Sequence, residues 1–534
     1  MRIVWLWSII LTCFSSAIMS YIAMATPIGP WIAPTIVFLG LLIFHHYTYE
    51  KKTEALVCVT VAASIGGIAA TACGFSFPTL YFLDPPFFNG LVARPFIFIP
   101  MLAGLIFAGS LFGMWVATVC ESVFINDPAY PFPVAQLIGT MINTAQVQVQ
   151  RAWEFIIGCV ATICACAGYV VMHMRTGIPL HVTVWARHVW NIFTVPPLIV
   201  DVTTVPLIVS IGFVTGHVIA LPLLIGTGIV VGILEPLHHF FFPLLSSMEC
   251  SLAFGSGMVL MGACSGSMSL IKKWYIRIRR EKKGREKKFS LSRMHGISGA
   301  VIIGIVIALL HLLYAFPLAV YPYLIIASAA CTYEVLVIAG KIGLAQLGRF
   351  ATFVMVPAML IFSPTLMHIT CIATFVELCT GVAVDILCGR KIGMMMGVPR
   401  ARIVRYQYLG LIVSACAVSV VFWMLVTHLH LGSSALYAYK AQARQLLIHV
   451  RIFDYRLLAI GALCGMVLQR LRINGGLVLG GLLMPMTISA GLIVGGFLGM
   501  SSHIRERWQP LFSGIFAGNS LWMFIQVLLN IYRS

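Results

Sequence analysis

The sequence predicts an all-α, polytopic integral membrane protein, and three observations carry that expectation. The chain has 534 residues, of which 60% are hydrophobic and only 9% charged, with a mean hydropathy of +0.99. Soluble domains carry about 25% charged residues, so this chain cannot cover a water-facing surface. Apolar runs of about 20 residues recur, each long enough to span a bilayer as a helix. These runs lack the two-residue alternation of barrel strands, and backbone groups in lipid must be satisfied within the segment, which selects helices.

Taken in order, spans are expected near residues 3–23, 26–45, 55–80, 96–124, 153–173, 194–213, 215–236 and 250–271. After a basic break they continue near 298–315, 317–339, 351–365, 367–388, 404–427, 456–470, 475–499 and 509–530. The window criterion thus gives roughly 14 to 16 transmembrane helices. The first run has a basic start and an Ala23-Met24-Ala25 ending, as a secretory signal does. Its apolar stretch exceeds a signal's core and another span follows at once, so a retained first helix is expected.

The break, "IKKWYIRIRREKKGREKKFSLSRMHG" (271–296), holds eleven Lys/Arg and two Glu. It divides the chain into an N-terminal transmembrane half (1–271), a basic loop (272–297) and a C-terminal transmembrane half (298–534). So basic a block stays on the cytoplasmic side, and eight spans before it place the N-terminus there too. Lys51, Lys52, Arg390, Lys391, Arg400, Arg402 and Arg405 fall on the same side, with Arg94 the exception. A multi-pass protein of the cell membrane follows, of the inner membrane in a bacterium. The net charge of +18 is then topogenic. No nucleic-acid partner is expected, and membrane lipid is, with anionic lipid the sharper reading of the loop. The 15 cysteines are scattered through apolar runs without a Cys-x-x-Cys pair, as small hydrophobes are. A homo-oligomer is compatible with the sequence.

Both halves contain runs interrupted by Gly and Pro. They are "SFPTLYFLDPP" (76–86) and "NDPAYPFPVAQLIGTMINTAQVQ" (126–148) in the first half, and "GGLVLGGLLMPMTISAGLIVGGFLGM" (475–500), with Pro485 in mid-run, in the second. Broken backbone at membrane depth is tolerated only where it is packed in protein or lines a cavity. Paired interruptions in the two halves point to a transporter's substrate site. The N–H groups after Pro133 and Pro485 suit a substrate carboxylate.

Six blocks carry a resemblance. They are "MATPIGPWIAPTIVFLGLLIF" (24–44), "TVAASIGGIAATACGFSFPTLYFL" (60–83), "YPFPVAQLIGTMI" (130–142), "ATFVELCTGVAVDILCGRKIGMMMGVPRARIVRYQYLGLIV" (373–413), "GGLLMPMTISAGLIVGGFLGM" (480–500) and "FSGIFAGNSLWMFI" (512–525). In this order they resemble the oligopeptide transporter superfamily, which includes the yellow-stripe-like metal-chelate transporters. The resemblance implies a proton-driven importer with two pseudo-symmetric halves, broken helices and a central substrate path. The chain departs from the family at Val134, Ala135 and Gln136, where a Pro-Glu-Gly-Thr or Pro-Ser-Gly-Thr block is common. It departs also at Asn519, where Glu is frequent, and at Arg390-Lys391. Asp385 is kept.

With sixteen carboxylates in all, those at membrane depth are conspicuous. A charge there costs about 2.5–3.5 kcal/mol on insertion scales, so such a group faces a cavity, pairs or binds a proton. Glu121, Glu154, Asp201, Glu235, Glu334, Glu377 and Asp385 qualify. Glu121 and Glu154 flank the broken stretch 126–148, with Arg151 a partner for either. Glu377 and Asp385 share one expected helix, about 80° apart around its axis. Asp385 lies close to Arg390, whereas Glu377 has no basic neighbour in its own turn. Glu377 is therefore the leading proton-coupling residue, followed by Glu334, Asp385 and Glu121. The expected substrate path comprises Tyr130, Pro131, Phe132, Pro133, Gln136, Pro485, Thr487, Ser489 and Asn519.

His173, His217, His311 and His368, and the pairs His45-His46 and His238-His239, read as interface anchors, because adjacent histidines make poor chelators. No bound metal or cofactor is expected, and a transported metal would travel inside its chelate. No Walker loop, nucleophile elbow, His-Glu-x-x-His or dinucleotide fingerprint occurs, which argues against ATP-driven transport and against an enzyme. A secondary active importer of short peptides or metal chelates is the favoured reading. A lipid-modifying membrane enzyme and a passive channel are the alternatives.

Overall fold

A computed structural model describes residues 2–25, 32–128, 130–147, 149–176, 181–187, 198–203, 206–235, 238, most of 250–261, 293–342, 347–433 and, with short gaps, 436–533. The core of the basic stretch and Pro485 lie outside these residues. The described chain is a polytopic helical membrane protein. Seven of its helices are long and apolar enough to cross a membrane, and five more apolar helices are shorter. Large apolar side chains face outward from them, among them Phe96, Leu312, Ile326 and Ile412. Such a surface suits lipid and not water.

The chain forms two compact units. The first comprises residues 1–149, 288–445 and 523–534, the second 150–287 and 446–522, so each draws on both sides of the basic stretch.

The first unit contains α1 (Arg2–Ala25), α2 (Ala33–Ile43), α3 (Tyr49–Ser76), α4 (Thr79–Leu83), α5 (Pro85–Val92), α6 (Pro95–Phe124) and α7 (Pro133–Val147). The expected span 55–80 is thus cut at Pro78. The Asp84 side chain caps the start of α5 by accepting from the Phe87 N–H, the usual service of an aspartate at a helix start. Past α8 (Val149–Thr176), which belongs to the second unit, and the basic stretch come the remaining long helices. In the second unit lie also the strands β1 (His181–Arg187) and β2 (Leu198–Thr203) and the helices α9 (Pro206–Thr215) and α10 (His217–Ile229).

The chain then returns to the first unit with α11 (Arg293–Tyr314), α12 (Val320–Ile342), α13 (Leu347–Phe362), α14 (Leu366–Met395), α15 (Arg400–His428) and the short α16 (Tyr439–His449). At its centre stands α14, packed on α3, α6, α12 and α13 and buried without a break from Ile369 to Arg390. Thr365 caps its start by accepting from the His368 N–H. It ends at Gly397, whose φ of +69° is left-handed, with the Val398 N–H returning to the Gly393 carbonyl at 2.9 Å. Glycine takes that conformation without a Cβ clash, the common way to stop a helix. Pro399 follows and opens α15. Against α6 the contact is close enough to require glycine. A Cβ on Gly113 would lie 2.4 Å from the Cys379 carbonyl oxygen.

The second unit is completed by α17 (Tyr455–Arg470), α18 (Met486–Leu498) and α19 (Ser502–Arg533), the last reaching into the first unit's residues beyond 522. Its helices pair through glycines spaced by four. Gly461 and Gly465 on α17 meet the backbone of Phe254 and Met258, while Gly257 meets Leu458 in return. Small residues at this spacing let helix backbones touch, which drives association where lipid removes the hydrophobic advantage. Phe254, Met258, Leu457, Leu468, Val478 and Leu482 fill the core beside this contact.

The chain is helical as expected, and one element departs from this locally, at the expected span 194–213. β1 and β2 pair antiparallel, with Thr183 opposite Asp201, where a span over 194–213 is expected from hydropathy. The run "LIVDVTTV" is rich in β-branched residues, which favour a pleated strand. Pro206 then restarts a helix at the position proline prefers. Asp201 accordingly lies on a strand and not in a membrane helix.

Candidate functional site

Near the middle of α14, Glu377 is completely buried and Arg444 of α16 is 4% exposed. Arg444 Nη2 lies 2.6 Å from Glu377 Oε1. Ser76, the last residue of α3, joins them: its hydroxyl donates to Glu377 Oε2 and accepts from Arg444 Nη1. Arg444 Nη1 also reaches the Phe75 carbonyl at 3.4 Å. One turn earlier on α16, Lys440 places its Nζ 3.2 Å from the centre of the Phe75 ring, a cation–π contact. Gly348, in the first turn of α13, completes the wall, since a Cβ there would lie 3.4 Å from Glu377 Oε1. Burial lowers the Lys440 ammonium to about 7; Glu377 acts in the opposite sense and Arg444 lowers it further.

Local chemistry positions α16. The Ala438 N–H donates to the Met24 carbonyl at 2.7 Å, tying the helix start to the end of α1. Ala438 itself has a φ of +51°. From there Lys440 and Arg444, four residues apart, share one helix face. Gln445 Nε2 donates to the Phe82 carbonyl at 2.7 Å.

A second cluster surrounds Glu121 at the end of α6. Arg390 Nη1 lies 2.6 Å from Glu121 Oε2, Arg400 Nη2 lies 2.5 Å from the same oxygen, and Arg400 Nε lies 2.8 Å from Oε1. Arg390 is held further by Thr118 at 2.9 Å and Gln407 at 3.2 Å. Lys391 donates to the Ile125 carbonyl at 2.7 Å. Glu121 therefore ties α6, α14 and α15 together. The expected proximity of Asp385 to Arg390 does not become a pair. Five residues turn the helix by about 140°, so the two side chains leave it in different directions. Asp385 is 5% exposed and makes no hydrogen bond or ion pair among the described residues.

The remaining expected residues fall as follows. Glu334 is half-buried on α12. The Phe132 N–H donates to the Gly340 carbonyl at 2.9 Å. Phe132 has a φ of +50° and a fully buried ring. A bulky residue in the left-handed region costs about 1–3 kcal/mol, which its surroundings must offset. Tyr130 packs edge-on against Phe124 at 4.7 Å, Pro131 and Pro133 are half-buried, and Gln136 is exposed in the first turn of α7. Gly139 of the same helix abuts Met395 and Met396. The stretch 130–139 thus meets α14 near its Glu121–Arg390 end, and Arg390 is 13 residues, about 20 Å of helix, from Glu377.

In the second unit, Ser489 is buried with its hydroxyl unpartnered among the described residues, and buried Asn519 accepts from Cys166 Sγ at 3.5 Å. Thr487 falls in α18. Glu154 is half-buried on α8 and Glu235 half-buried just after the π turn that ends α10. His311 Nδ1 lies 3.1 Å from the Tyr321 hydroxyl and His368 Nε2 2.8 Å from the Tyr314 carbonyl, one hydrogen bond each.

Sequence reasoning identified Glu377 and Glu121 but missed Ser76, Lys440 and Arg444. The available signal was Lys440-x-x-x-Arg444 in a short segment with no acid of its own. No protein-family model matches the chain, and no curated protein matches it.

Proposed function

We propose that the chain is a secondary active transporter that carries short oligopeptides or peptide-like metal chelates across the cell membrane by proton symport. The observation that carries this reading is the ion pair between Glu377, on the buried central part of α14, and Arg444 of α16. A buried ion pair is weak support for stability, because desolvation offsets most of the attraction. Ionisable groups inside a membrane bundle are by default functional. Here the acid and its base stand on different helices, with Ser76 of a third between them. Protonation of Glu377 removes one charge of the pair and changes what holds α3, α14 and α16 together. A proton taken up from water is thereby converted into altered helix packing, which is what coupling requires.

The six blocks that resemble the oligopeptide transporter superfamily support the same reading. With it go 14 to 16 spans in two pseudo-symmetric halves, broken helices around residues 126–148 and Pro485 along the substrate path, and a cytoplasmic N-terminus and basic loop. Protons are the coupling ion. The test is uptake of labelled tri- to pentapeptides, and of a metal-loaded peptide-like chelate, by vesicles reconstituted with the purified chain. Accumulation above the outside concentration that collapses with an uncoupler supports the reading. Equilibration without accumulation makes the chain a channel, and no permeation of any probe removes transport of this class.

A further inference from the structure

The site around Glu377 contains one carboxylate and two bases. Glu377 engages Arg444 and Ser76 with its two oxygens. Lys440, half-buried, rests on the Phe75 ring and makes no ion pair among the described residues. Arg444 keeps one donor in reserve: its Nε is buried and has no hydrogen-bond partner among the described residues. A buried donor left unsatisfied costs about 1–3 kcal/mol, and a guanidinium is built to receive a carboxylate through two parallel N–H groups. Lys440 and Arg444 stand one turn apart on a single helix face, so one anion can touch both.

We infer that Arg444 and Lys440 are the seat of a substrate carboxylate, and that this carboxylate and Glu377 are alternative occupants of the Arg444 guanidinium. The inference rests on the transport reading above and names its substrate class: molecules with a free carboxylate, such as the C-terminus of a short peptide or the carboxyl arms of a chelator. It departs from the sequence expectation that helix starts after Pro133 and Pro485 receive that group.

The exchange balances. Without substrate, ionised Glu377 neutralises Arg444. When a proton from water binds Glu377, the carboxyl group no longer competes, and the incoming carboxylate takes its place on the guanidinium. One proton and one negative charge enter together, and the buried charge is unchanged. The titratable or charged groups that the neighbouring helices present to Glu377 are Cys73 on α3 and Lys440 and Arg444 on α16. Cys331 on α12 faces Cys379 on α14, and the Glu121–Arg390 set lies further along α14. Lowering the pH from 8 to 6 therefore favours binding through Lys440 as it gains its proton.

The experiment measures binding of trialanine, trialanine amide and N-acetyl-trialanine to the purified full chain in detergent by titration calorimetry, at pH 6 and pH 8. Wild type, Glu377→Gln and Lys440→Met are compared, with melting temperatures as the check on folding. Glu377→Gln retains hydrogen-bonding groups toward Ser76 and Arg444 and cannot ionise. Trialanine and N-acetyl-trialanine are expected to bind at least tenfold more tightly than the amide. Glu377→Gln should bind trialanine as tightly as wild type or more so, and Lys440→Met should lose less affinity between pH 6 and pH 8 than wild type does. Lys440→Met should narrow the preference for the free acid. Equal binding of acid and amide overturns the carboxylate seat while leaving peptide transport standing. Lost trialanine binding in a folded Glu377→Gln protein overturns the exchange and makes Glu377 a direct ligand. If none of the three probes binds wild type, the peptide reading and this inference fall together.

Discussion

Glu377 and Arg444, 67 residues apart in sequence, meet at 2.6 Å with neither side chain open to solvent. Removing one partner of such a pair leaves an uncompensated buried charge, which costs about 3–5 kcal/mol. Arg444→Met should therefore lower the melting temperature strongly in detergent. Adding Glu377→Gln to it should recover most of the loss, because neither charge then remains. A double variant no more stable than Arg444→Met would show that Arg444 acts through its packing and not through its charge.

Glu377→Gln alone should melt earlier than wild type, because buried Arg444 loses its counter-charge, yet still fold, since the amide keeps hydrogen-bonding groups toward Ser76 and Arg444. It should abolish uncoupler-sensitive accumulation of peptide in vesicles. Wild-type accumulation in that variant would remove Glu377 from coupling.

The Lys440 ammonium is lowered to about 7 from its ordinary value of 10.5, so between those pH values the unfolded chain binds more protons than the folded one. Stability attributable to this group rises with pH across that window and is lowest below about 7, where the folded chain must carry the charge. Melting temperature should increase from pH 6 to pH 9, and Lys440→Met should flatten the increase. An unchanged slope in that variant assigns the pH effect to other groups.

Glu121 and Asp385 should respond oppositely to loss of charge. Glu121→Gln weakens the contact to Arg390 and Arg400 and leaves the 2%-exposed Arg390 side chain short of its counter-charge, so the chain should melt earlier. Asp385→Asn sacrifices no ion pair and should melt at the wild-type temperature or above. A lower melting temperature for Asp385→Asn would reveal a stabilising role for its charge.

Gly113→Leu should separate α6 from α14. Even its Cβ would stand 2.4 Å from the Cys379 carbonyl, and overpacking of this kind costs about 1–3 kcal/mol or more. The expected readout is a lower melting temperature in detergent, with Ala intermediate between Gly and Leu.

The membrane class and the helical character were legible in the sequence because they depend on composition and run length, which each segment carries by itself. The centrality of Glu377 was also legible, since an acid within an apolar helix is rare. The broken stretch before α7 was visible in its prolines, although its hydrogen bond from Phe132 to Gly340 was not. The β1–β2 hairpin was hidden because hydropathy measures how apolar a run is, and an apolar run of β-branched residues scores like a helix.

What the sequence by itself determined is therefore the solvent, the dominant secondary structure and the acids that carry a cost. What only the tertiary structure decided is which base meets which acid. Arg390 is five residues from Asp385 yet turns about 140° away from it and reaches Glu121. Arg444 lies far along the chain from Glu377 yet touches it. Helix rotation separates near neighbours and helix packing joins distant ones, and neither is written in any local stretch of residues.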